Sequence, residues 1–302
     1  SLKRVSPQTL KRSPLPSPEE SLADSPRWLL NTTTAETLYI FTDHANCYTL
    51  PVGKMTEFRP RDRGQLLSGV LADLEEGEQA LLMLTSDPAA MSSRPDLLFV
   101  TRLGQVKRSA AADYAVRSRK YPALNLKRED SLLTILSLEA DDDLLLLTRQ
   151  GMSIRFPLAD IPLQGRVAGG VRGMSLEKGD EIRYAAQLAE KDELVLFSDR
   201  GWGKGIRQSA FDPQSRGGKG TRCFAFNKNG SNGRELAGVS QAPEDQEITL
   251  LISQARSPVT RLSRSEILLQ TKQGKGMPYI MAILDDVVTG VEHAEIPPDR
   301  PS

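Results

Sequence analysis

Runs of four or five apolar residues recur along the chain, each closed by a short polar turn. The copies are LYIFTDHANCYTLPV from Leu38, LLFVTRLGQVKRSAA from Leu97, LLLLTRQGMSIRFPL from Leu144, LVLFSDRGWGKGIRQSAF from Leu194 and, less regularly, ITLLISQARSPVTRLSRSEI from Ile248. Their starts lie 59, 47, 50 and 54 residues apart. Each copy predicts a β-hairpin: an apolar strand, a polar turn that usually holds Gly, and a second strand. Periodicity alone leaves Leu144–Leu147 open to a helix, but so short a run with an immediate turn reads as strand. Further apolar strands follow at LLTILSL (132–138), RYAAQLA (183–189) and LAGVSQA (236–242), reached through links rich in Gly and Arg. Acidic turns close the units: EADDD (139–143), EKDE (190–193) and PEDQE (243–247).

A period of about 50 residues with about four strands per unit predicts an all-β, propeller-like ring. The opening LKRVSPQTL resembles VKRSAAADY at 106–114, which adds a unit at the start of the chain with its first strand cut away. The reading is one domain over 1–292 made of six repeats, at about 1–36, 37–96, 97–143, 144–193, 194–247 and 248–292. Residues 293–302 read as a disordered tail.

Composition narrows the class. The chain of 302 residues is 39% hydrophobic and 26% charged, as expected of a soluble globular protein. No apolar run is long enough to cross a bilayer, so no membrane partner is expected. The N-terminus lacks both Met and a signal-peptide core and reads as that of an excised fragment. Cys47 and Cys223 match no metal or redox spacing, which fits a reducing, cytoplasmic setting.

Charge changes the picture more. Lys and Arg total 39 and Asp and Glu total 39, so the chain is formally neutral. Yet the turn-to-link windows 1–12, 54–63, 102–128, 149–172, 199–222 and 256–275 hold 31 of the cations and only 7 of the acids. Equivalent positions in a ring of repeats share a surface, so these cations predict a basic belt, the footprint of a phosphate backbone. Candidate DNA-binding residues are Arg59, Arg61, Arg63, Lys107, Arg108, Arg117, Arg119, Lys120, Arg155, Arg166, Arg172, Lys204, Arg207, Arg216, Lys219, Arg222, Arg261, Arg264, Lys272 and Lys275. Interspersed Gly lets the main chain approach a phosphate. Tyr114, Tyr121 and Trp202 are too sparse for a single-strand stacking platform, so duplex is the expected partner, read by charge and shape.

Other chemistries find less support. His44 and His293 are the only histidines, and neither belongs to a triad or metal spacing, so no catalytic residue, metal or cofactor is expected. Asp141, Asp142 and Asp143 read as a solvated turn. KQGKG at 272–276 lacks the Ser or Thr and the strand–helix context of a nucleotide loop. A protein-binding propeller scaffold is the alternative that the fold permits, but cations locked to one phase of the repeat argue against it.

Gln214-Ser215-Arg216-Gly217-Gly218-Lys219-Gly220 resembles the GyrA box, Q-R-R-G-G-K-G, with Ser in the second place. QGRVAGGVRGMSL (164–176), RPRDRGQLLSGVL (59–71) and RSRKYPALNLK (117–127) resemble the corresponding loops of neighbouring blades. Together they resemble, over essentially the whole chain, the C-terminal domain of the A subunit of bacterial type IIA topoisomerases. The resemblance implies a six-bladed β-pinwheel, in which blades exchange a strand, that bends duplex DNA around a basic outer rim. It implies a domain with no activity of its own, joined to the N-terminal breakage-reunion region of the A subunit, with an indirect link to the ATPase B subunit. A cytoplasmic, nucleoid-associated location goes with this. The family's box lies in the first blade, whereas here the best copy lies in the fifth repeat, and 9–28 holds none. RDRGQLLSGVL resembles the topoisomerase IV A subunit, which favours that type (ParC) over gyrase (GyrA).

Overall fold

A computed structural model of the chain describes residues 1–12, 27–71, 73–138, 142–281 and 286–295. All five hairpins are present: Thr37–Thr42 with Asn46–Pro51, Leu97–Thr101 with Gln105–Ser109, Asp143–Thr148 with Met152–Pro157, Asp192–Ser198 with Trp202–Arg207, and Ile248–Gln254 with Thr260–Ser263. A third strand lies beside the first strand of each: Ala80–Ser86, Leu132–Ser137, Ile182–Leu188, Leu236–Pro243 and Val288–Glu295. Short fourth strands come from the link of the following repeat: Lys120–Pro122, Val171–Arg172, Thr221–Arg222 and Met277–Pro278. Among the described residues this gives four antiparallel sheets of four strands and one of three. The chain is therefore all-β, built from repeated four-stranded antiparallel sheets.

The chain divides into two compact units. One holds Ser1–Phe99, Lys107–Glu139 and Leu163–Gly170; the other holds Val100–Val106, Ala140–Pro162 and Val171–Ser302. Aromatics dominate the core of the first, where Phe41 and Tyr114 meet edge to face with ring centroids 5.2 Å apart. Such a pair adds about 0.5–1.5 kcal/mol to the burial itself. Aliphatic strands dominate the second, through Leu145, Leu147, Leu194, Leu196 and Ile206 around Phe211 and Phe224. Leu144 through Leu147 are all fully buried, which explains an unbroken apolar run where a half-exposed strand would alternate. Both thiols are buried, and burial pushes Cys47 and Cys223 up to about 12.

The hairpin turns carry a second duty. Gly104, Gly151 and Gly201 occupy the same turn position with φ of 81°, 76° and 75°. Each glycine carbonyl accepts two successive amides from a link: Gly173 and Met174, Cys223 and Phe224, Tyr279 and Ile280. Close approach leaves no room for a side chain, since a Cβ on Gly151 would lie 2.7 Å from the Phe224 carbonyl oxygen.

Residues 1–36 build no sheet of their own among the described residues, which contain the short helix Pro7–Arg12. Their place in the repeat is nevertheless defined. Leu2 bridges Gln65 antiparallel and Arg4 bridges Glu57 parallel. The same two bridges recur at Val106↔Val171 with Arg108↔Leu163, Ser153↔Thr221 with Arg155↔Pro213, and Gly203↔Met277 with Gly205↔Leu269. In all four cases the two partners stand 8 residues apart. Leu2 and Arg4 thus make the bridges that Val106 and Arg108 make in the next pairing of this kind.

Two expectations need correction. His293, Ala294 and Glu295 belong to the last strand rather than a tail, because the pairing with Ile248–Gln254 runs on to Ile248↔Glu295. Asp143 is no solvated turn residue: it opens a strand and holds Arg155 at 2.6 Å. Asp141, the central part of the first-unit link at 13–26 and residues 296–302 lie outside the described residues.

Gly151→Ala combines left-handed strain with a clash against backbone, so we expect it to cost about 1–3 kcal/mol. Urea unfolding measures this directly, and an unchanged midpoint would remove the turn carbonyl from the account.

Candidate nucleic-acid interface

The exchanged pairings put five heptads in register, each followed by the residue that pairs with Leu2, Cys47, Val106, Ser153 or Gly203. They are FRPRDRG (58–64), YAVRSRK (114–120) and QGRVAGG (164–170) in the first unit, and QSRGGKG (214–220) and QTKQGKG (270–276) in the second. The box-like loop at 214–220 therefore has a counterpart at 270–276, which the sequence suggests only as a failed nucleotide loop. Its signal is the shared frame of Gln, a cation two places on and a closing Gly-Lys-Gly. Backbone geometry confirms the equivalence: the amides of Gln164, Gln214 and Gln270 donate to the carbonyls of Arg108, Arg155 and Gly205.

Eleven of the candidate cations are exposed. Arg59, Arg61, Arg63, Arg117 and Arg119 belong to the first unit, and Arg172, Arg207, Lys219, Arg222, Arg261 and Lys275 to the second. Lys219 reaches Glu177 at 2.8 Å, but both side chains are well exposed and salt screens such a pair. Arg207 lies 3.6 Å from Glu193.

Six more are half-buried and tied to their surroundings. Arg216 donates to the carbonyls of Asp160 and Arg172 at 3.0 and 2.7 Å. Arg166 donates to the Pro122 carbonyl at 2.6 Å and lies over the Tyr121 ring at 5.2 Å. Lys272 stands over Phe211 at 5.4 Å, and Lys120 pairs with Glu75 at 2.9 Å. Arg108 and Arg155 repeat one arrangement, each gripping the aspartate 12 residues before it: Asp96 at 2.7 Å and Asp143 at 2.6 Å. These two arginines fasten the hairpin.

Three candidates are not surface residues at all. Arg264 is buried against Glu193, with the Pro243 carbonyl at 2.6 Å. Lys107 and Lys204 are fully buried. Lys107 Nζ donates to the carbonyls of Ala123 (2.9 Å), Gly165 (3.4 Å) and Arg166 (2.5 Å). Lys204 Nζ donates to those of Thr271 (3.1 Å), Lys272 (2.7 Å) and Gly274 (2.8 Å). An ammonium has three protons, and here each finds a carbonyl. Burial draws both lysines down to about 8, which leaves them charged at neutral pH. Sequence places them with the belt because charge alone does not tell a surface lysine from an inward one.

His44, Glu75 and Glu78 bring donor atoms within 4.8 Å of one another. Their valences are taken within the cluster. His44 Nδ1 meets Glu75 at 3.0 Å, and Asn46 and Tyr48 donate to Glu78 at 2.9 and 2.7 Å. The His44 bond, then Lys120, hold the Glu75 carboxyl down at about 2. Exposed His44 is thus a surface ion-pair residue.

Comparison with known proteins joins these observations. The family model described as "DNA gyrase C-terminal domain, beta-propeller" matches residues 95–139, 142–188 and 192–232. Three consecutive repeats of this chain therefore match the model of the gyrase A C-terminal domain. The DNA gyrase A subunit of Lawsonia intracellularis is 30% identical over 243 residues, covering 79% of this chain and 28% of that protein. The DNA gyrase A subunit of Chlamydia muridarum is 27% identical over 266 residues, covering 87% and 31%. The chain thus spans less than a third of the curated relatives it matches. Among solved structures, the C-terminal domain of a DNA topoisomerase IV superposes with a TM-score of 0.86 at 22% identity, over 97% of this chain and 90% of that one. A DNA gyrase A C-terminal domain gives 0.66 at 21% identity, over 87% and 83%. These structures share the fold. No helix among the described residues is long and apolar enough to cross a membrane.

The division into free and tied cations predicts opposite responses to substitution. Arg117→Glu with Arg119→Glu should shift stability by no more than about 0.5 kcal/mol. Arg155→Ala strands Asp143 and should cost about 1–3 kcal/mol. Thermal melts of the two variants compare them, and equal losses would contradict the assignment.

Proposed function

We propose that this chain is the duplex-binding C-terminal domain of a type IIA topoisomerase A subunit, that its repeats form a six-bladed β-pinwheel, and that its exposed cations hold a bent duplex by its phosphates. The observation that carries this reading is the phase of the exposed cations: in repeat after repeat they stand in or beside the heptad, as Arg59, Arg61, Arg63, Arg117, Arg119, Arg172, Lys219, Arg222 and Lys275 do, and four of the five heptads hold glycine. Such loops offer a phosphate both side-chain charge and main-chain N–H groups. Charge and shape, rather than base edges, would then set affinity, so binding is tolerant of sequence.

The domain supplies no chemistry in this reading. Strand breakage belongs to the rest of the A subunit, ATP hydrolysis belongs to the B subunit, and this domain presents the duplex. The gyrase names of its sequence relatives fit a type IIA origin, and the heptads at 214–220 and 270–276, late in the chain, favour the topoisomerase IV type. The bridges of Leu2 and Arg4 support a sixth repeat.

Salt dependence tests the proposal. Each neutralised phosphate contributes about −0.9 to the slope of log affinity against log salt, so six contacts give about −5. Affinity for a random 30-base-pair duplex, followed by fluorescence anisotropy, should fall roughly a thousandfold between about 50 and 200 mM salt. A flat response, or affinity confined to single strands, would overturn it.

A further inference from the structure

The lysines that face inward repeat. The paired bridges make Lys3, Lys107 and Lys204 equivalent, each lying between the two bridged residues of its hairpin strand. Lys3 Nζ donates to the carbonyls of Pro60 at 2.5 Å and Asp62 at 3.3 Å. Lys107 takes Gly165 and Arg166, and Lys204 takes Thr271, Lys272 and Gly274. In heptad numbering these acceptors are all second, third or fifth residues. Three lysines thus grip the third carbonyl of three different loops, each with the second or the fifth beside it, and Lys107 takes the Ala123 carbonyl as well. No carboxylate takes part in any of these grips. Ring faces line the two fully buried ones, with Phe99 5.0 Å from Lys107 Nζ and Phe224 5.3 Å from Lys204 Nζ.

Burying an ammonium without a counter-ion is costly, and three lysines set in equivalent places need a reason. The reason lies in what the grip does to the loop. Carbonyls drawn onto one cation are turned to a single side. The amides of Lys272, Gln273 and Lys275 donate to no protein acceptor among the described residues. Free amides beside surface cations are donors open to an anion. The fourth position in the series is an internal contrast, because Ile154 stands there beneath 214–220. That loop is fastened instead by Arg216 on the carbonyls of Asp160 and Arg172, and by the Gly217 amide on the Gly173 carbonyl at 2.8 Å.

We propose that Lys3, Lys107 and Lys204 are positioning residues that shape the loops 58–64, 164–170 and 270–276 from within, so that those loops meet phosphates while the lysines never touch them. The link to phosphate rests on the function proposed above; the shaping of the loops does not.

Lys204→Met in the full chain separates the two. Hydrogen exchange should show protection lost across 270–276 and kept across 164–170 and 214–220. Duplex affinity at fixed salt should fall about fivefold to tenfold, because a loosened loop must be ordered on binding. The salt slope should stay unchanged, whereas Lys275→Gln, which removes a surface cation, should reduce it by about 0.9. Unaltered protection at 270–276, or a slope reduced by Lys204→Met itself, overturns the proposal. If the native chain binds no duplex, the functional reading fails and hydrogen exchange alone judges the grip. Lys3 is half-buried, so Lys3→Met leaves the fold intact and repeats the measurement on 58–64 should Lys204→Met unfold the chain.

Discussion

Each repeat of this protein gives up a link of irregular backbone, and every buried polar group on that link must find a partner. The exchanged strands are only two or three residues long and satisfy few of them. The remainder falls to single atoms placed by the neighbouring hairpin. A turn carbonyl at Gly104, Gly151 or Gly201 takes two amides beyond the exchanged strand, and an inward lysine takes carbonyls before it. Remove these and the heptads lose their shape, although the sheets themselves stay whole.

Positive charge therefore has two uses in the same short windows. Cations on one side of a heptad hold its backbone, and cations on the other side stay in water. A carbonyl cage suits the first, because its dipoles solvate an ammonium without a carboxylate partner. Arg108 and Arg155 belong with the first group by other means, being clamped to aspartates. What is left in solvent is a smaller set than the sequence implies, and one arranged by the set that is buried.

Much of this was legible beforehand. The hairpins announced themselves, since an apolar run followed by a polar turn with Gly has few other meanings. The exchanged strands did not: two residues such as Val171-Arg172 carry no periodicity, and only their register with Val106 and Gln105 reveals them. One-turn helices such as Leu158–Asp160, which follow the hairpins, are missed for the same reason. At the site, the basic windows recur at one phase of the observed hairpins, but the letters do not orient side chains within them. Lys107 and Arg108 are adjacent in the chain, yet one is sealed in the core while the other reaches Asp96. The kinship of 214–220 and 270–276 was readable in the letters, but Gln273 in place of a Gly hid it until the bridges set the frame.

The central claim is that buried and exposed lysines of these loops do different work, and side-chain nitrogen NMR of the lysine ammonium groups tests it most directly. Lys107 and Lys204 should show ammonium protons that exchange slowly with water and should stay in place when duplex is added. Lys219 and Lys275 should exchange fast and shift on the same addition. Rapid exchange at Lys204, or a duplex-induced shift there as large as that of Lys275, would contradict the account.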